Sequence, residues 1–368
     1  MQFLEANARR VVIKIGTNSL TGPGGDLLSG RIEAVCREIS SLKEHGFEVV
    51  VVSSGAVGLG IGKLELTDRP DDLAGLQACA AVGQSCLMQA WQAALQTHQI
   101  TAAQILLTRE DVQGRKRHLA VRNTLEELLS YGAVPVVNEN DTVSADEIKF
   151  GDNDVLSALV ASLIKADLLI ILSNIPGLMK DHGRGALIPL VEEVTEDIRE
   201  LAGGPENQFS TGGMITKIEA AKLATQSGCG VFIGSANEPG IIGKVHDGTA
   251  PGTFFMPQTI SLAARKRWIA FFEKPMGSLH LDAGAARAIL ENHSSLLAKG
   301  LLSCTGSFEQ GAVVNLLDPD SNTIARGIVA YDAATLSGII GLDSSQIQKT
   351  QPERSRFEVV HRDSLVLI

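Results

Sequence analysis

The 368-residue chain has few aromatic residues, which make up only 4% of it. A surface that binds single-stranded nucleic acid by stacking needs aromatic side chains, so such binding is not expected to be the main function. Positive charge is also in deficit, because 32 Lys and Arg stand against 42 Asp and Glu and leave a net charge of −10. This excludes a uniformly basic surface for a polyanion, so an anion must bind where positive charge is locally concentrated.

Paired cysteines and long apolar runs are missing as well. The five cysteines include no Cys-x-x-Cys pair, which argues against a zinc site or a redox dithiol and favours small core residues. No apolar run approaches the roughly 18 residues of a membrane span, and the first ten residues lack the apolar region of a signal peptide. We therefore expect a cytoplasmic protein with no membrane contact.

What the sequence does contain is a regular alternation of two patterns. Short β-branched runs such as RVVIKIG and EVVVVSSG alternate with amphipathic stretches, for example Arg31 to His45 and Asp72 to Gln96. This alternation predicts an α/β fold with a mostly parallel sheet covered by helices on both faces. Ligands of such sheets bind at the carboxyl ends of the strands. Those ends are GTNS, SSGAVG, NEND and SNIPG.

The alternation of strand and helix patterns ends at the charged turn RKRWIAFFEKP. Beyond it, GSLHLDAGAARAILE predicts a strand and a short helix, a hairpin is expected to turn at Asp318 to Asn322, and the tail RFEVVHRDSLVLI predicts further strands. The second domain is therefore expected to be small and β-rich. The predicted boundaries are 1–264 for the first domain, 265–274 for a linker and 275–368 for the second domain.

Two strand ends combine glycine with small polar residues. Lys14 follows a buried run and precedes Gly16, where a lysine either extends to water or holds phosphate groups over a glycine turn. Ser54 and Gly55 form a similar turn, whose N–H and hydroxyl groups suit a carboxylate or a phosphate. Each pattern alone is weak evidence.

The segment VVNENDTVSADEIKFGDND is more specific, because it places seven amides and carboxylates between a buried strand and an apolar helix. A solvated acidic loop is the alternative, and a helix cap would explain one of the seven. Amides mixed with carboxylates suit an ammonium group and a polar side chain better than tight metal binding alone. The seven residues are Asn138, Glu139, Asn140, Asp141, Asp152, Asn153 and Asp154.

The segment STGGMITK, residues 210–217, predicts a glycine-rich helix start with Lys217 in the first turn. A helix N-terminus and an ammonium group add their positive potentials, so this segment predicts an anion site, although a plain helix start is the alternative. Its spacing does not fit the Walker pattern, and no Gly-x-Gly-x-x-Gly follows the first strand. A dinucleotide-dependent oxidoreductase is therefore disfavoured.

Together with AAVGQSCLMQ and, in the tail, TGSFEQGAVV, these segments resemble the glutamate 5-kinase (gamma-glutamyl kinase) family over nearly the whole chain. The resemblance implies an amino-acid-kinase domain, a three-layer αβα sandwich, followed by a PUA-like pseudobarrel. It also implies transfer of a phosphoryl group from ATP, with Mg²⁺, to the side-chain carboxylate of L-glutamate. The product is L-glutamyl 5-phosphate, the first intermediate of proline biosynthesis from glutamate.

The same resemblance implies roles for individual residues. Lys14 and Lys217 hold the transferring phosphate, and Asp154 orients the two lysines. The expected glutamate contacts are Ser54, Gly55, Ala56, Asp141 and Asn153. The expected ATP contacts are Lys14, Gly16, Ser173, Asn174, Thr211, Gly212, Gly213, Met214, Ile215, Thr216 and Lys217, while no protein ligand of Mg²⁺ is assigned.

The chain departs from the family pattern after one strand. SNIPGLM replaces an expected Thr-Asp followed by Gly-Leu-Tyr, so Asn174 stands for the acid and Met179 for the tyrosine. This departure bears on the adenine contacts and leaves the phosphate lysines in place.

Family resemblance further implies feedback inhibition by proline at a site overlapping that of glutamate. It also implies a homodimer or homotetramer and hand-over of the labile product to glutamate 5-phosphate reductase. Two alternatives stay open: an acceptor such as acetylglutamate or aspartate, and RNA binding by the PUA-like domain. RNA binding is disfavoured, since residues from Pro275 onward contain 7 Lys and Arg against 10 Asp and Glu, a net charge of −3.

Overall fold

The computed structural model describes residues 9–22, 26–113, 115–143, 153–202, 213–258, 275–350 and 357–367. The chain divides into two compact units, with the division close to residue 261. The predicted linker, 265–274, lies outside the described residues, so the domain boundaries stay predictions. Within the described ranges, no helix combines the length and the apolar character that a bilayer span requires.

The first unit is built on an eight-stranded sheet with the strand order β3-β4-β2-β1-β5-β7-β8-β6. Its central strand β1 pairs in parallel with β2 and β5. Strand β8 runs antiparallel to β7 and parallel to the edge strand β6, so the sheet is mostly parallel, as predicted. The strands are β1 (Arg10–Ile15), β2 (Glu48–Ser53), β3 (Ala102–Leu107), β4 (Val134–Glu139), β5 (Leu168–Ser173), β6 (Leu190–Val191), β7 (Gly230–Ser235) and β8 (Gly252–Phe255).

The predicted amphipathic stretches Arg31 to His45 and Asp72 to Gln96 form helices, and further helices connect the other strands. Asp72 caps the longest of them by accepting a hydrogen bond from the Gly75 N–H at 2.8 Å. The helices are α1 (Thr17–Leu20), α2 (Ser29–Glu44), α3 (Ala56–Lys63), α4 (Leu73–Gln96), α5 (Arg109–Gln113), α6 (Arg115–Ser130), α7 (Asn153–Ile164), α8 (Lys180–Gly183), α9 (Glu196–Ala202), α10 (Met214–Gln226) and α11 (Ile241–His246).

Strand β1 shows how the sheet separates two layers of helices. Val11, Ile13 and Ile15 belong to a buried apolar cluster that includes side chains of α2, α4 and α11. Because side chains alternate across a strand, Lys14 projects to the opposite face, where α7 packs. The alternation therefore places one charged residue of an apolar strand beneath α7.

Helices α3 and α4 approach each other at two glycines. A Cβ atom at Gly60 would lie 1.8 Å from the carbonyl oxygen of Cys79, and one at Gly83 would lie 1.8 Å from that of Ala56. Both distances are far below van der Waals contact, so only glycine permits this backbone-to-backbone packing. The contact joins α4 to the first turn of α3, directly after Ser54.

The second unit contains a six-stranded, largely antiparallel sheet with the order β10-β14-β13-β12-β9-β11. The predicted hairpin is present between β12 and β13, and the Asp318 carboxylate accepts from the N–H groups of Asp320 and Asn322 in its turn. The predicted tail strands form one strand, β14, instead of several. The strands are β9 (Gly277–Leu281), β10 (Leu296–Leu297), β11 (Leu301–Gly306), β12 (Val313–Leu317), β13 (Thr323–Val329) and β14 (Glu358–Leu367).

Among the described residues, three helices contribute apolar side chains to the core of this unit, which also contains the fully buried Tyr331. Asp282 and Asp332 cap the first two helices by accepting hydrogen bonds from the N–H groups of Ala285 and Thr335. The helices are α12 (Ala283–Asn292), α13 (Ala333–Ile339) and α14 (Ser344–Thr350).

Candidate active site

Four neighbouring strands end at one edge of the first sheet, in the order β4, β2, β1 and β5. Their carboxyl ends bring together four of the polar positions that the sequence singles out, namely Asn138, Ser54, Lys14 and Ser173. Helices α7 and α10 pack against each other and add their N-terminal turns to this group. Residues far apart in the sequence therefore share one site.

The charged centre of the site consists of Lys14, Asp154 and Lys217. The ammonium group of Lys14 forms an ion pair with Asp154 Oδ1, and Lys217 Nζ lies 2.9 Å from Asp154 Oδ2. Asp154 is fully buried and each lysine is 4% exposed. Two ammonium groups therefore contact one carboxylate in a region with little water to screen their charges.

Helix starts explain the position of two of these side chains. Asp154 is in the first turn of α7, where the helix dipole favours a carboxylate. Lys217 is the fourth residue of α10 and faces α7 across the helix contact. The expected convergence of Lys14, Asp154 and Lys217 is thus present in the structure.

Beside the charged centre lies a second, uncharged group, the amide relay, formed by Gln84, Asn138, Asn153 and Ser54. Asn153 Nδ2 donates to Ser54 Oγ at 2.7 Å, to Asn138 Oδ1 at 2.9 Å and to the Ser53 carbonyl at 3.2 Å. Asn138 Nδ2 in turn donates to Gln84 Oε1 at 2.8 Å. These bonds connect the ends of β2 and β4 with α7 and α4.

Sequence reasoning gave no role to the two residues of α4 that support this group. Gln84 bonds to Asn138, and Trp91 Nε1 donates to Ser53 Oγ at 3.0 Å. The signal was available, because Gln84 lies at helical spacing from the apolar Leu87 and Trp91. An amide on the apolar face of a helix requires a buried hydrogen-bond partner.

Asp141 lies in the turn after β4, close to the amide relay in sequence. Burial raises the pKa of its carboxyl from 3.8 to about 6, while the positive charge of Arg69 opposes this shift. Arg69 belongs to the connection between α3 and α4 and was not singled out by sequence reasoning. A carboxyl that burial makes reluctant to ionise gains from a cationic partner.

A cavity of about 380 Å³ adjoins the charged centre on the side of Lys217. Six residues from the sequence analysis are among those that line it: Ser173, Asn174, Met179, Gly213, Met214 and Lys217. Asn18 and Leu201 add a polar and an apolar side chain from α1 and α9. The size and mixed lining are suited to a small ligand.

Other predicted positions lie near these groups or outside the described residues. Gly55, with a positive φ of 109°, and Ala56 form the turn into α3. Gly16 follows β1, and its N–H donates to the Leu172 carbonyl of β5 at 3.3 Å. Thr216 bonds to the Gly213 carbonyl, and the side chain of Ile215 is exposed. Thr211, Gly212 and Asp152 lie outside the described residues.

No cluster of three or more His, Cys, Asp or Glu residues suited to a metal ion occurs in the described part of the chain. Asp154 engages a lysine with each of its oxygens. The residues of the charged centre therefore do not fit a metal ion held by the protein itself.

Comparison with known proteins identifies the family of the chain. The profile of the Amino acid kinase family matches residues 9–235, and that of the PUA domain matches residues 277–350. A glutamate 5-kinase of Moorella thermoacetica is 45% identical over 99% of this chain and 97% of its own length. One of Trichlorobacter lovleyi is 45% identical over 98% of this chain and 97% of its own.

Among solved structures, the carbamate kinase of Giardia lamblia bound to AMP-PNP aligns with a TM-score of 0.50 and 16% identity. It covers 68% of this chain and 99% of its own, and it supports the fold of the first unit alone. The fold class expected from the sequence, an amino-acid-kinase domain followed by a PUA domain, is thereby confirmed. The chain is an enzyme of the glutamate 5-kinase family.

Proposed function

We propose that this enzyme transfers the γ-phosphoryl group of ATP to the side-chain carboxylate of L-glutamate and releases ADP and L-glutamyl 5-phosphate. The observation that supports this most directly is the convergence of Lys14 and Lys217 on Asp154, beside the amide relay. Relatives of 45% identity over almost the full chain bear the corresponding name. The reaction would supply the first intermediate of proline biosynthesis from glutamate.

The main barrier to this reaction is electrostatic. The acceptor carboxylate is already ionised at neutral pH, so no general base is needed to generate the nucleophile. It must instead approach a polyanion, and two like charges about 4 Å apart repel by about 4 kcal/mol at an effective dielectric constant near 20. The ammonium groups of Lys14 and Lys217 would offset this repulsion, and more strongly because both are buried.

Within this proposal Asp154 organises the two lysines and does not act as a base. Each of its oxygens contacts one ammonium group, which fixes the separation and direction of the two positive charges before a substrate binds. Lys14 and Lys217 would then contact the transferring phosphoryl group as it moves toward the acceptor. Catalysis is thus ascribed to positioning and to charge stabilisation.

The acceptor would bind on the side of the amide relay. Ser54 and Asn153 offer a hydroxyl and an amide, Gly55 and Ala56 offer backbone groups at the start of α3, and Asp141 offers a carboxylate for the ammonium group. This donor set matches an amino acid with a second carboxylate better than it matches carbamate, which carries no ammonium group. Aspartate carries an ammonium group and is the competing acceptor that this criterion leaves, while acetylglutamate, whose nitrogen is an uncharged amide, is disfavoured on the same ground as carbamate.

The nucleotide would occupy the cavity next to Lys217. Gly16, Ser173, Asn174 and the start of α10, with Thr211 and Gly212 before it, are the proposed contacts. Met179 also lines this cavity, so the departure from the family pattern lies at the proposed adenine side. We propose that Mg²⁺ enters as a complex with ATP, since the described residues do not fit a resident metal.

Measurement of acyl phosphate formation tests the proposal. ADP release would be followed with ATP and each of L-glutamate, acetylglutamate, L-aspartate and carbamate, and hydroxylamine would trap acyl phosphates as hydroxamates. We expect trapping with L-glutamate at a kcat/KM at least 100-fold above that for the other acceptors. A higher kcat/KM for another acceptor, or ADP release without hydroxamate, would refute the assignment.

Further expectations belong to the same proposal. Proline would compete with glutamate, the enzyme would be a cytoplasmic homodimer or homotetramer, and the labile product would pass to glutamate 5-phosphate reductase. RNA binding by the PUA domain is not expected. Inhibition kinetics with proline, sedimentation analysis and an anisotropy assay with structured RNA test three of these expectations separately.

A further inference from the structure

The amide relay contains one member, Gln84, that lies on α4 and is assigned no contact with either substrate. Its only role in the site runs through Asn138, which is 2% exposed. Since Asn138 is buried, each polar atom of its amide must find a partner inside the protein. Which atom bonds to which partner therefore determines the orientation of every amide group in the relay, and this orientation is called its direction.

Two backbone groups, the N–H of Glu139 and the carbonyl of Ser53, fix the orientation of the two asparagine amides. The N–H of Glu139 donates to Asn138 Oδ1 at 2.9 Å, and a backbone N–H can only donate, so the oxygen of Asn138 must face it. The Ser53 carbonyl accepts from Asn153 Nδ2 at 3.2 Å, and a carbonyl can only accept, so the amino group of Asn153 must face it. The orientation of both amides therefore follows from groups that have no alternative role.

Gln84 supplies the group that completes this arrangement. Once the oxygen of Asn138 faces Glu139 and Asn153, its amino group is directed to α4, where Gln84 Oε1 accepts it at 2.8 Å. Without this acceptor a buried amino group would be left unsatisfied. Rotation of Asn138 to satisfy it would withdraw the oxygen that holds Asn153.

The direction of the relay decides what the site offers to an acceptor. Because the amino group of Asn153 faces Ser53, Ser54 and Asn138, its carbonyl oxygen is turned away from them and can accept from an ammonium group. Ser54 Oγ already accepts from Asn153, so its own proton is left for a carboxylate. An acceptor that is both amine and acid matches these two groups.

We infer that Gln84 is a positioning residue that holds the Asn138–Asn153 amides in the direction required for amino-acid binding. This inference rests on the proposed phosphorylation of glutamate. It adds to that proposal a specific residue of α4 and a specific orientation of hydrogen-bond donors and acceptors. It concerns the KM for the acceptor and leaves the charged centre unaffected.

Steady-state kinetics of Gln84→Met test the inference, because methionine has a similar size but offers no comparable acceptor. We expect the KM for glutamate to rise about tenfold, while kcat and the KM for ATP stay within about twofold. Gln84→Glu keeps an acceptor toward Asn138, so its KM for glutamate should stay within about threefold of the wild type. Gln84→Asn, one methylene shorter, should match Gln84→Met and replaces it if the methionine variant does not fold.

Gln92→Met is the matched control, since Gln92 is exposed on the same helix and should show wild-type kinetics. An unchanged KM for glutamate in Gln84→Met and Gln84→Asn would overturn the inference. So would a parallel change of kcat and both KM values together with a lower Tm, which is the pattern of a merely structural residue. Failure of the wild-type enzyme to phosphorylate glutamate would instead refute the proposed function, so the two failures are distinguishable.

Discussion

The charged centre and the amide relay begin at adjacent residues of one helix, yet they are built on different principles. Asp154 directs both of its oxygens to lysines, whereas Asn153, one residue earlier, donates to neutral groups at the ends of β2 and β4. The charged centre depends on long-range electrostatics, which a neutral side chain cannot replace. The amide relay depends on short, directional bonds, each of which contributes modestly by itself.

One site can thus separate the rate of transfer from recognition of the acceptor. Under the proposed function the charged centre faces the charge that develops during transfer, so changes in it should act on kcat. Changes in the amide relay and Asp141 should act on the KM for the acceptor. Substitutions in the two parts test this separation.

Replacement of a lysine of the charged centre should give the largest effect. Lys217→Ala removes one of the two ammonium groups that we propose to face the phosphoryl group, and we expect kcat to fall about 1,000-fold with the fold retained. Lys222→Ala, on the same helix α10, is the control and should be nearly silent. Activity of Lys217→Ala within a few-fold of wild type would remove this lysine from the site.

Replacement of the carboxylate that joins the lysines should come next. Asp154→Asn removes the negative charge that lies between two buried ammonium groups, so we expect a roughly 100-fold loss of kcat and a lower Tm. Kinetics and thermal unfolding at several salt concentrations measure both effects. A normal kcat would show that the lysines need no carboxylate between them.

Replacement of Asp141 tests the part of the site that is proposed to bind the acceptor. Asp141→Asn keeps the size of the side chain and removes its charge, so the KM for glutamate should rise about 10- to 30-fold while kcat changes little. Equal effects on kcat and KM would contradict the assignment of Asp141 to acceptor binding alone. An unchanged KM for glutamate would place Asp141 outside the acceptor site.

The raised pKa of Asp141 also predicts a pH dependence. Since the pKa is about 6 in the folded protein, the ionised fraction falls below pH 6, and the KM for glutamate should rise there. Asp141→Asn should flatten this part of the profile. The folded state also binds this proton more tightly than the unfolded state, whose pKa is near 3.8, so the stabilising contribution is complete at low pH and is lost as pH rises through 6.

The smallest kinetic effect is expected at Trp91. Trp91→Phe removes the donor to Ser53 Oγ and part of a fully buried ring, so the free energy of unfolding should fall by about 1–3 kcal/mol. The KM for glutamate should change less than threefold, because Asn153 still holds Ser54. Denaturant unfolding and steady-state kinetics on the same preparation separate the two effects. A larger change in KM than in Gln84→Met would reverse the ranking proposed for α4.

Much of the fold follows from local patterns. The β-branched runs and amphipathic stretches locate the elements of the parallel sheet, and the turn at Asp318 follows from its side-chain bonds to nearby N–H groups. The reversed direction of β8 was not predictable in this way, since strand direction depends on long-range pairing that a local period does not encode.

The site shows the same limit. The density of amides and carboxylates around Asn138 and Asp154 marks the region, but helix phase and tertiary packing decide which one meets the lysines. The resemblance to a family suggested the residues of the charged centre, and their proximity is now visible, although their roles in the reaction stay predictions. The helical spacing of Gln84 marks it as a buried amide, but its partner Asn138 is 54 residues away and no local pattern identifies it.

The contact of α3 with α4 through Gly60 and Gly83 has a mechanical consequence. At these two glycines the backbones of the two helices touch directly, with no side chain between them. The 24 residues of α4 span about 36 Å. This long helix packs by direct backbone contact against α3, the short helix that follows Ser54 and Gly55. We expect a tilt of α4 to move the start of α3 with it, and thereby to shift the hydroxyl group of Ser54.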